Sequence, residues 1–262
     1  MLSIAPATIL VFDSGLGGLT VFREVQQARP DVRFIYVADD AGFPYGSQRE
    51  DALIARVLSV IGAAIEDHAP DLVVVACNTA STLALNELRM RFAVPFVGTV
   101  PAIKPACAQS RSKRIAVLGT QATVGREYTR ALIREFASSC DVVLVGSHRL
   151  ASFAEAELAG EPVTDAAIAA EIAGCFIEAD GRRTDTVVLA CTHYPLLIER
   201  FRAAAPWSVE WLDPAPAIAR RVADLMRDVP AVTAATSPHS IVFTSGRMPS
   251  PALAKALARY GF

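Results

Sequence analysis

Two cysteines, Cys77 and Cys191, stand in nearly the same sequence context. The stretch "DLVVVACNTA" covers residues 71–80 and "DTVVLACTHY" covers residues 185–194, so both read Asp-x-Val-Val-x-Ala-Cys. Each apolar run is typical of a buried strand in a parallel sheet, and each ends in a thiol followed by two hydrogen-bonding side chains. A single free cysteine is often only a core residue. Two thiols at matching strand ends favour a chemical role.

The residues after the thiols indicate what that role could be. Asn78 and Thr79 follow the first cysteine, and Thr192 and His193 follow the second. Because Ser, Thr and Asn side chains cap helix N-termini, we expect each pair to open a helix. The N–H groups of such a helix end favour a thiolate and also bind carboxylates. Two thiols on opposite sides of a small carboxylic acid could exchange the α-proton between faces, which inverts an α-amino acid.

His193 lies two residues after Cys191, a spacing that also occurs in metal sites. No further Cys/His cluster supplies the remaining ligands, so we expect no metal and interpret His193 as an acid/base partner of the thiol. The chain has three lysines, and none lies at a strand end beside a phosphate loop. We therefore expect no pyridoxal phosphate and no other cofactor.

The glycine-rich stretch "FDSGLGGLTV" (12–21) resembles a phosphate loop but lacks the last glycine of that motif, because position 20 is Thr20. It has two interpretations. It could be a tight turn into a helix capped by Ser14, or it could place Asp13 near Cys77 to position the thiol or hold a substrate ammonium group. We favour the second interpretation.

The segment "GFPYGSQ" (42–48) is rich in turn residues. It could be a surface loop. Equally, Tyr45 and Gly46 could line a pocket mouth with a hydroxyl and open backbone groups. The residues alone do not decide between these interpretations.

Short apolar runs alternate with amphipathic stretches along the chain, which predicts an α/β fold with mostly parallel, doubly wound sheets. Strands are predicted at 8–12, 32–38, 72–76, 94–98, 115–119, 141–146, 186–190, 209–213 and 241–245. Helices are predicted at 51–67, 82–92, 124–137, 165–179 and 215–227.

The repeated cysteine motif predicts two similar halves. Each half also has an earlier strand that ends in a polar cluster, at residues 9–15 and 115–123. We therefore expect two pseudo-symmetric α/β domains with the active site between them. The first comprises residues 1–98 and 210–262 and carries Cys77; the second comprises residues 99–209 and carries Cys191.

Composition narrows the class of protein. The 262 residues are 52% hydrophobic and 20% charged, as in a globular enzyme, and the net charge of −2 gives no general attraction to nucleic acid. Five widely spaced cysteines argue against a disulfide framework and favour a reducing compartment. The N-terminal stretch reads as no signal peptide and no apolar run is long enough for a membrane span, so we expect a cytoplasmic protein.

At this point the motifs resemble those of cofactor-independent glutamate racemases, particularly proteobacterial members. The matching stretches, in the family's order, are "FDSGLGGLTV", "PYG", "ACNTAS", "GTQAT", "ACTHYPLL" and "VEWLDPAPAIARRVADL". The resemblance implies interconversion of L- and D-glutamate, with D-glutamate supplied to peptidoglycan precursor assembly. It implies that Cys77 handles the α-proton of the D-isomer and Cys191 that of the L-isomer.

The resemblance also implies roles for neighbouring residues. Asp13 and His193 match the assisting acid/base groups, and Glu155 matches an acidic residue that supports His193. Ser147-His148 stands where many members have Cys-Pro. Substrate-binding positions are implied at Asp13, Ser14, Pro44, Tyr45, Gly46, Asn78, Thr79, Thr120, Thr123, Thr192 and His193.

Other functions stay open on the sequence alone. An aspartate racemase of the same superfamily is the nearest alternative, although those enzymes usually carry Glu where this chain has His193. A thiol hydrolase would use Cys191 and His193 but gives Cys77 no role, and a noncatalytic amino-acid-binding module needs neither thiol. As partners we expect glutamate, and by similarity to some proteobacterial members a uridine-linked cell-wall precursor as activator, with a monomer or homodimer and no membrane or nucleic acid.

Overall fold

The structure, a computed structural model, describes residues 6–230 and 239–262. It divides into two compact units, one comprising Met1–Thr99 and Ala215–Phe262 and the other Val100–Pro214. The expectation about a signal peptide rests partly on residues 1–5, which lie outside the described residues.

Strands and helices alternate along the chain, as predicted. The strands are β1 (Thr8–Asp13), β2 (Arg33–Ala38), β3 (Leu72–Val75), β4 (Phe96–Gly98), β5 (Arg114–Thr120), β6 (Asp141–Ser147), β7 (Glu178–Ala179), β8 (Arg182–Arg183), β9 (Thr186–Ala190), β10 (Glu210–Leu212) and β11 (Ser240–Phe243). The α-helices are α1 (Leu19–Ala28), α2 (Glu50–His68), α3 (Asn78–Arg91), α4 (Ile103–Gln109), α5 (Gln121–Gly125), α6 (Glu127–Phe136), α7 (Leu150–Leu158), α8 (Asp165–Ile172), α9 (Ile198–Ala204), α10 (Ala215–Leu225) and α11 (Pro251–Ala258).

Each unit contains one parallel sheet. The first has the order β11-β2-β1-β3-β4 and the second the order β10-β9-β5-β6. In both, the unit's first strand lies between its second strand and the strand that precedes the motif cysteine, so the internal similarity predicted from the repeated motif is present in the strand order. The predicted α/β class with mostly parallel sheets is confirmed.

The central strands β1, β3, β5 and β9 are buried on both faces because helices cover both sides of each sheet there. Leu10 and Phe12 of β1 pack in one buried cluster with Leu53 of α2 and Leu88 of α3. In the second unit, Leu118 of β5 lies in a corresponding buried cluster with side chains of α7, α8 and α9. Each buried side chain of this size stabilises the fold by roughly 1.5–3 kcal/mol, which holds the strand ends in a fixed register.

The aspartates that open the two cysteine motifs have a structural role. Asp71 accepts a hydrogen bond from the Thr8 backbone N–H through Oδ2 at 2.7 Å. Asp185 accepts one from Ser110 Oγ at 2.6 Å and two from the backbone N–H groups of Arg111 and Ser112, at 2.8 and 2.7 Å. Each carboxylate therefore ties the start of the cysteine-bearing strand to the chain that enters the central strand beside it.

Several predicted boundaries differ from the structure. The predicted helix 124–137 is divided into α5 and α6 because Arg126 is extended, with φ −79° and ψ 146°. The predicted helix 165–179 ends at Ile172, and a 3-10 turn and the β7–β8 hairpin follow. The helix predicted from residue 82 begins at Asn78, directly after the thiol.

The second crossing between units also lies later than expected. β10 pairs with β9, so Glu210–Leu212 belongs to the second sheet although the predicted first domain resumed at residue 210. β10 has only three residues and is stable only beside a partner strand, so it belongs to the unit that contains β9. That the two units act as domains with an active site between them stays a prediction.

Candidate active site

Cys77 lies at the carboxyl edge of the first sheet. Phe12 of β1 pairs with Val75 of β3, so the chain leaves both strands at the same edge, with Asp13 on one and Cys77 beyond the other. Ligands of open α/β sheets bind at this edge. Both residues are buried, Asp13 completely and Cys77 to within 5%.

The Cys77 thiol has two polar neighbours. Its sulfur accepts a hydrogen bond from the Ala80 backbone N–H at 3.5 Å and lies 3.6 Å from Ser14 Oγ. Cys77 is thus itself the N-cap of α3, not Asn78 or Thr79 as predicted. The N–H donor and the helix N-terminus both favour the thiolate over the thiol.

Asn78 is the most informative neighbour of Cys77. Its side chain is buried, and neither its Nδ2 nor its Oδ1 has a hydrogen-bond partner among the described residues. An unpaired buried amide costs about 1–3 kcal/mol, so proteins seldom keep one without a use for it. Directly beside a strand-end thiol, it indicates a position for a polar ligand.

Asp13 and Ser14 belong to a tightly held turn. The Gly15 backbone N–H donates to Asp13 Oδ2 at 3.0 Å, and the Tyr36 hydroxyl donates to the Gly15 carbonyl at 2.9 Å. A Cβ at Gly18 would lie 2.7 Å from the Tyr36 hydroxyl oxygen and 2.8 Å from Asp13 Cβ, so this position requires glycine.

Of the two interpretations of residues 12–21, the helix capped by Ser14 does not describe the structure. The helix α1 begins at Leu19, its N-cap is Gly18, and no side chain caps it. Ser14 instead approaches the Cys77 sulfur, which supports the interpretation of this loop as part of a site.

Of the two interpretations of residues 42–48, a plain surface loop does not describe Tyr45. Pro44 is exposed and Gly46 half-buried, but Tyr45 is 2% exposed and its hydroxyl donates to the Asp39 carboxylate. Burial and the adjacent Asp39 charge raise the pKa of Tyr45, so it remains protonated. A ligand could therefore contact the Tyr45 ring or the neighbouring backbone. The hydroxyl proton of Tyr45 is donated to Asp39 and does not serve as a donor to the ligand.

Cys191 occupies the equivalent edge of the second sheet. Gly119 of β5 pairs with Ala190 of β9, so Thr120 and Cys191 end neighbouring strands. Thr120 Oγ1 accepts from the Thr123 backbone N–H at 3.1 Å, and the two threonine hydroxyls lie 3.0 Å apart. Thr120 thus caps α5, and both threonines lie at the edge that carries the thiol.

Cys191 is the first member of a thiol–imidazole–carboxylate series. Its sulfur lies 3.8 Å from Nδ1 of His193, whose Nε2 lies 2.8 Å from Glu155 Oε1. Because an ionised carboxylate only accepts hydrogen bonds, Nε2 donates to Glu155, and Nδ1 faces the sulfur, where it can accept the proton of the thiol or donate to the thiolate. The structure therefore brings together the three predicted residues, including Glu155 from α7.

The helix predicted to follow Thr192 and His193 is a 3-10 helix with His193 as its N-cap, and not an α-helix. Both are buried in a turn that leads into a 3-10 segment, Tyr194–Leu197, and α9 begins only at Ile198. Of the two motif cysteines, only Cys77 lies at the N-terminus of an α-helix. At Cys191 the polar neighbour is an imidazole.

Two polar features were missed from the sequence. Tyr194 is completely buried, its hydroxyl has no partner among the described residues, and burial together with nearby Cys191 raises its pKa. Asp39, which binds Tyr45, directly follows β2, whose last residue Ala38 pairs with Asp13 of β1. Its position after a buried strand, the same signal used for Asp13, could have identified it.

The remaining cysteines, Cys107, Cys140 and Cys175, are buried or half-buried free thiols outside the two motifs. Burial raises the pKa of Cys175 to about 12, and burial together with the neighbouring Cys140 raises that of Cys107 to about 12. Across residues 6–230 and 239–262, no three His, Cys, Asp or Glu side chains group as a metal site would require.

Comparison with known proteins defines the class first. The family model described as Asp/Glu/Hydantoin racemase matches residues 18–222. The chain belongs to this family and is an amino-acid racemase, an isomerase.

The comparison then narrows to particular relatives. The chain is 52% identical to the glutamate racemase of Brucella canis, over 99% of this chain and 94% of the relative. It is 56% identical to that of Agrobacterium fabrum, over 91% and 88%. Among solved structures, Escherichia coli glutamate racemase in complex with L-glutamate and the activator UDP-MurNAc-Ala has a TM-score of 0.90 at 38% identity, covering 98% of this chain and 96% of that one.

None of the helices in the described part of the chain is long and apolar enough to cross a membrane.

Proposed function

We propose that this chain interconverts L- and D-glutamate without a cofactor, using Cys77 and Cys191 as the two acid/base groups. The observation that carries the proposal is the pair of buried thiols at the carboxyl edges of two parallel sheets, in each of which the strand that leads to the cysteine pairs with the unit's first strand. The similarity to glutamate racemases supports glutamate as the substrate.

The proposed reaction is a proton exchange at one carbon. In the L-to-D direction, the Cys191 thiolate removes the α-proton, the electron pair stays on the α-carbon as a carbanion, and the Cys77 thiol delivers a proton to the opposite face. Cys191 ends as a thiol and Cys77 as a thiolate. The reverse direction uses the same groups in exchanged roles, so no atom or electron is left over.

The neighbours of each thiol suit this task. The Ala80 N–H stabilises the Cys77 thiolate, and Asp13 lies at the adjacent strand end. His193, held by Glu155, receives or returns the Cys191 proton. For substrate binding we propose the buried Asn78 amide, with Ser14, Thr79, Thr120, Thr123, Thr192 and the Pro44-Tyr45-Gly46 segment.

Isotope exchange tests the proposal directly. L-Glutamate is incubated with the protein in deuterated water, and loss of the α-proton is followed by NMR while the D-isomer is measured by chiral chromatography. We expect both to proceed together. Exchange with aspartate but not glutamate would identify an aspartate racemase instead. Exchange with neither would leave the thiol-hydrolase and binding-module alternatives and overturn the proposal.

We further propose that the D-glutamate enters peptidoglycan precursor assembly in the cytoplasm, where thiols remain reduced. The E. coli relative is bound to UDP-MurNAc-Ala as an activator, which motivates the same regulation here. Turnover is measured with and without UDP-MurNAc-Ala, using UDP as the control. An unchanged rate would show that this chain lacks the activation.

A further inference from the structure

We propose that Asp39 is a positioning residue that fixes Tyr45 and the 42–48 segment beside Cys77. This inference rests on the proposed function, which gives the 42–48 segment a role in substrate binding. The proposal makes Asp39 act through Tyr45, not on the substrate.

The Asp39 carboxylate is completely buried and fully bonded. Arg56 donates to it from Nε to Oδ2 and from Nη2 to Oδ1, both at 2.6 Å. Thr244 Oγ1 donates to Oδ1 at 2.6 Å, and the Tyr45 hydroxyl donates to Oδ2. Four donors match the four lone pairs of a carboxylate. No acceptor position is left for a substrate, which separates Asp39 from an acid/base group.

These bonds join three parts of the first unit to one side chain. Asp39 follows β2, Arg56 lies on α2, and Thr244 follows β11, whose backbone continues the pairing through Thr244 N–H to the Ala38 carbonyl at 3.0 Å. The next residue, Asp40, is held by the same terminal segment, through the Ser245 N–H at 2.8 Å and Arg247 Nη2 at 3.2 Å. The C-terminal strand therefore helps to hold the start of the loop.

The loop backbone packs tightly against the Asp39 carboxylate. The Gly42 backbone N–H donates to the Asp39 carbonyl at 3.0 Å. A Cβ at Gly42 would overlap Arg56 Nε and would lie 2.8 Å from Asp39 Oδ2 and 2.9 Å from Tyr45 Cε1. Glycine is required because the backbone passes directly over the ion pair.

Tyr45 connects Asp39 to the surroundings of the Cys77 thiol. Its ring lies in the same cluster of buried side chains as Cys77. Anchoring the hydroxyl fixes the ring, and the ring fixes the backbone of Pro44 and Gly46 on either side. Asp39 thus sets the shape of the segment that we propose contacts the substrate.

The experiment compares Asp39→Asn with a matched control. Asp31→Asn removes one charge from another two-bond Arg–Asp pair, formed with Arg29 and remote from the loop. We expect Asp39→Asn to raise KM for glutamate about tenfold while kcat changes less than about threefold, because the loop is displaced but both thiols remain. Asp31→Asn should leave KM unchanged.

A double mutant tests whether the effect passes through the tyrosine. Tyr45→Phe should raise KM to a similar extent, and Asp39→Asn/Tyr45→Phe should be no worse than either single variant, since both break the same bond. If the double variant raised KM by the product of the two single effects, the proposal would be overturned. An unchanged KM in Asp39→Asn would also overturn it. If Asp39→Asn does not fold, Thr244→Val removes one donor from the same carboxylate and must raise KM in its place. Wild-type activity separates the outcomes: an inactive wild type contradicts the proposed function, whereas an active wild type with an unaffected variant contradicts only this inference.

Discussion

The two motif cysteines have different chemical neighbours. Cys77 caps a helix, accepts a backbone N–H and lies beside a serine hydroxyl. Cys191 lies beside an imidazole that a carboxylate orients. This difference is expected if each thiol handles the α-proton of one enantiomer, because the neighbours of the two thiols then need not be the same.

Removing one thiol should stop inversion but leave exchange on one face. In deuterated water, Cys191→Ala should still exchange the α-proton of D-glutamate through Cys77, and Cys77→Ala that of L-glutamate through Cys191. In both variants the inversion rate should fall on the order of 10²- to 10⁴-fold, the range expected for loss of a general acid or base. NMR measures exchange, and chiral chromatography measures inversion.

Cys140→Ala is the matched control, since Cys140 is a half-buried free cysteine outside both motifs. It should retain wild-type inversion. Inversion by either motif variant at the wild-type rate would remove that thiol from the mechanism.

Glu155 should act through His193. Glu155→Gln removes the charge opposite Nε2, so the imidazole holds a proton less strongly and kcat should fall about tenfold, or about 1.4 kcal/mol in activation free energy. The pH profile of kcat should shift as well, which a purely structural role would not cause. Glu157→Gln, on the same helix but bound to Arg200, should leave the profile in place.

At the scale of elements, the repeated aspartate and the repeated cysteine have separate tasks. Asp71 and Asp185 tie strand starts together at one edge of the sheets, while the cysteines lie at the opposite, carboxyl edge. The motif therefore combines a structural residue and a candidate catalytic residue in one strand.

Acid should weaken the Asp185 anchor. Burial raises the pKa of Asp185, but hydrogen bonds from Ser110 and the Ser112 N–H outweigh it, so the net pKa is lowered. A lowered folded pKa gives stability that is present above the unfolded value near 4 and is lost as pH falls through the folded value. Asp185→Asn should cost about 1–2 kcal/mol at pH 7, and the difference from wild type should shrink below about pH 4.

Urea unfolding at several pH values measures this difference. The exposed Asp224→Asn serves as the control and should change the free energy of unfolding by less than about 0.5 kcal/mol. A gap between Asp185→Asn and wild type that widened on acidification would contradict the anchoring role.

At the scale of the whole molecule, glutamate binding should be visible as stabilisation. At a glutamate concentration ten times Kd, the folded state gains roughly 1.4 kcal/mol, which raises Tm by about 2–3 °C for a chain of this length. Cys191→Ala should keep this shift because it changes the chemistry more than the binding.

Asn78→Ala should lose the shift, and calorimetry without ligand gives a second result. Because the Asn78 amide has no hydrogen-bond partner among the described residues, its removal should leave the unliganded Tm equal to or above that of wild type. A lower unliganded Tm together with a normal glutamate shift would show that Asn78 is a structural residue.

Local sequence patterns were sufficient to predict part of the structure. Apolar runs predicted the strands, because a strand buried on both faces is apolar along its length. The repeated motif predicted two similar halves and their two thiols, because each copy ends a strand in a cysteine and two polar residues. The motif resemblance likewise placed Glu155 near His193, although the two are far apart in the chain.

The tertiary structure was needed to learn how the polar groups are paired. It showed that Cys77 itself caps α3, that a 3-10 turn follows Cys191, and that the Tyr45 hydroxyl is bound to Asp39. It also brought Thr244 to a carboxylate more than half the chain away. Hydrogen bonds between distant residues depend on which strand lies beside which, and that neighbourhood is set by packing of the whole sheet.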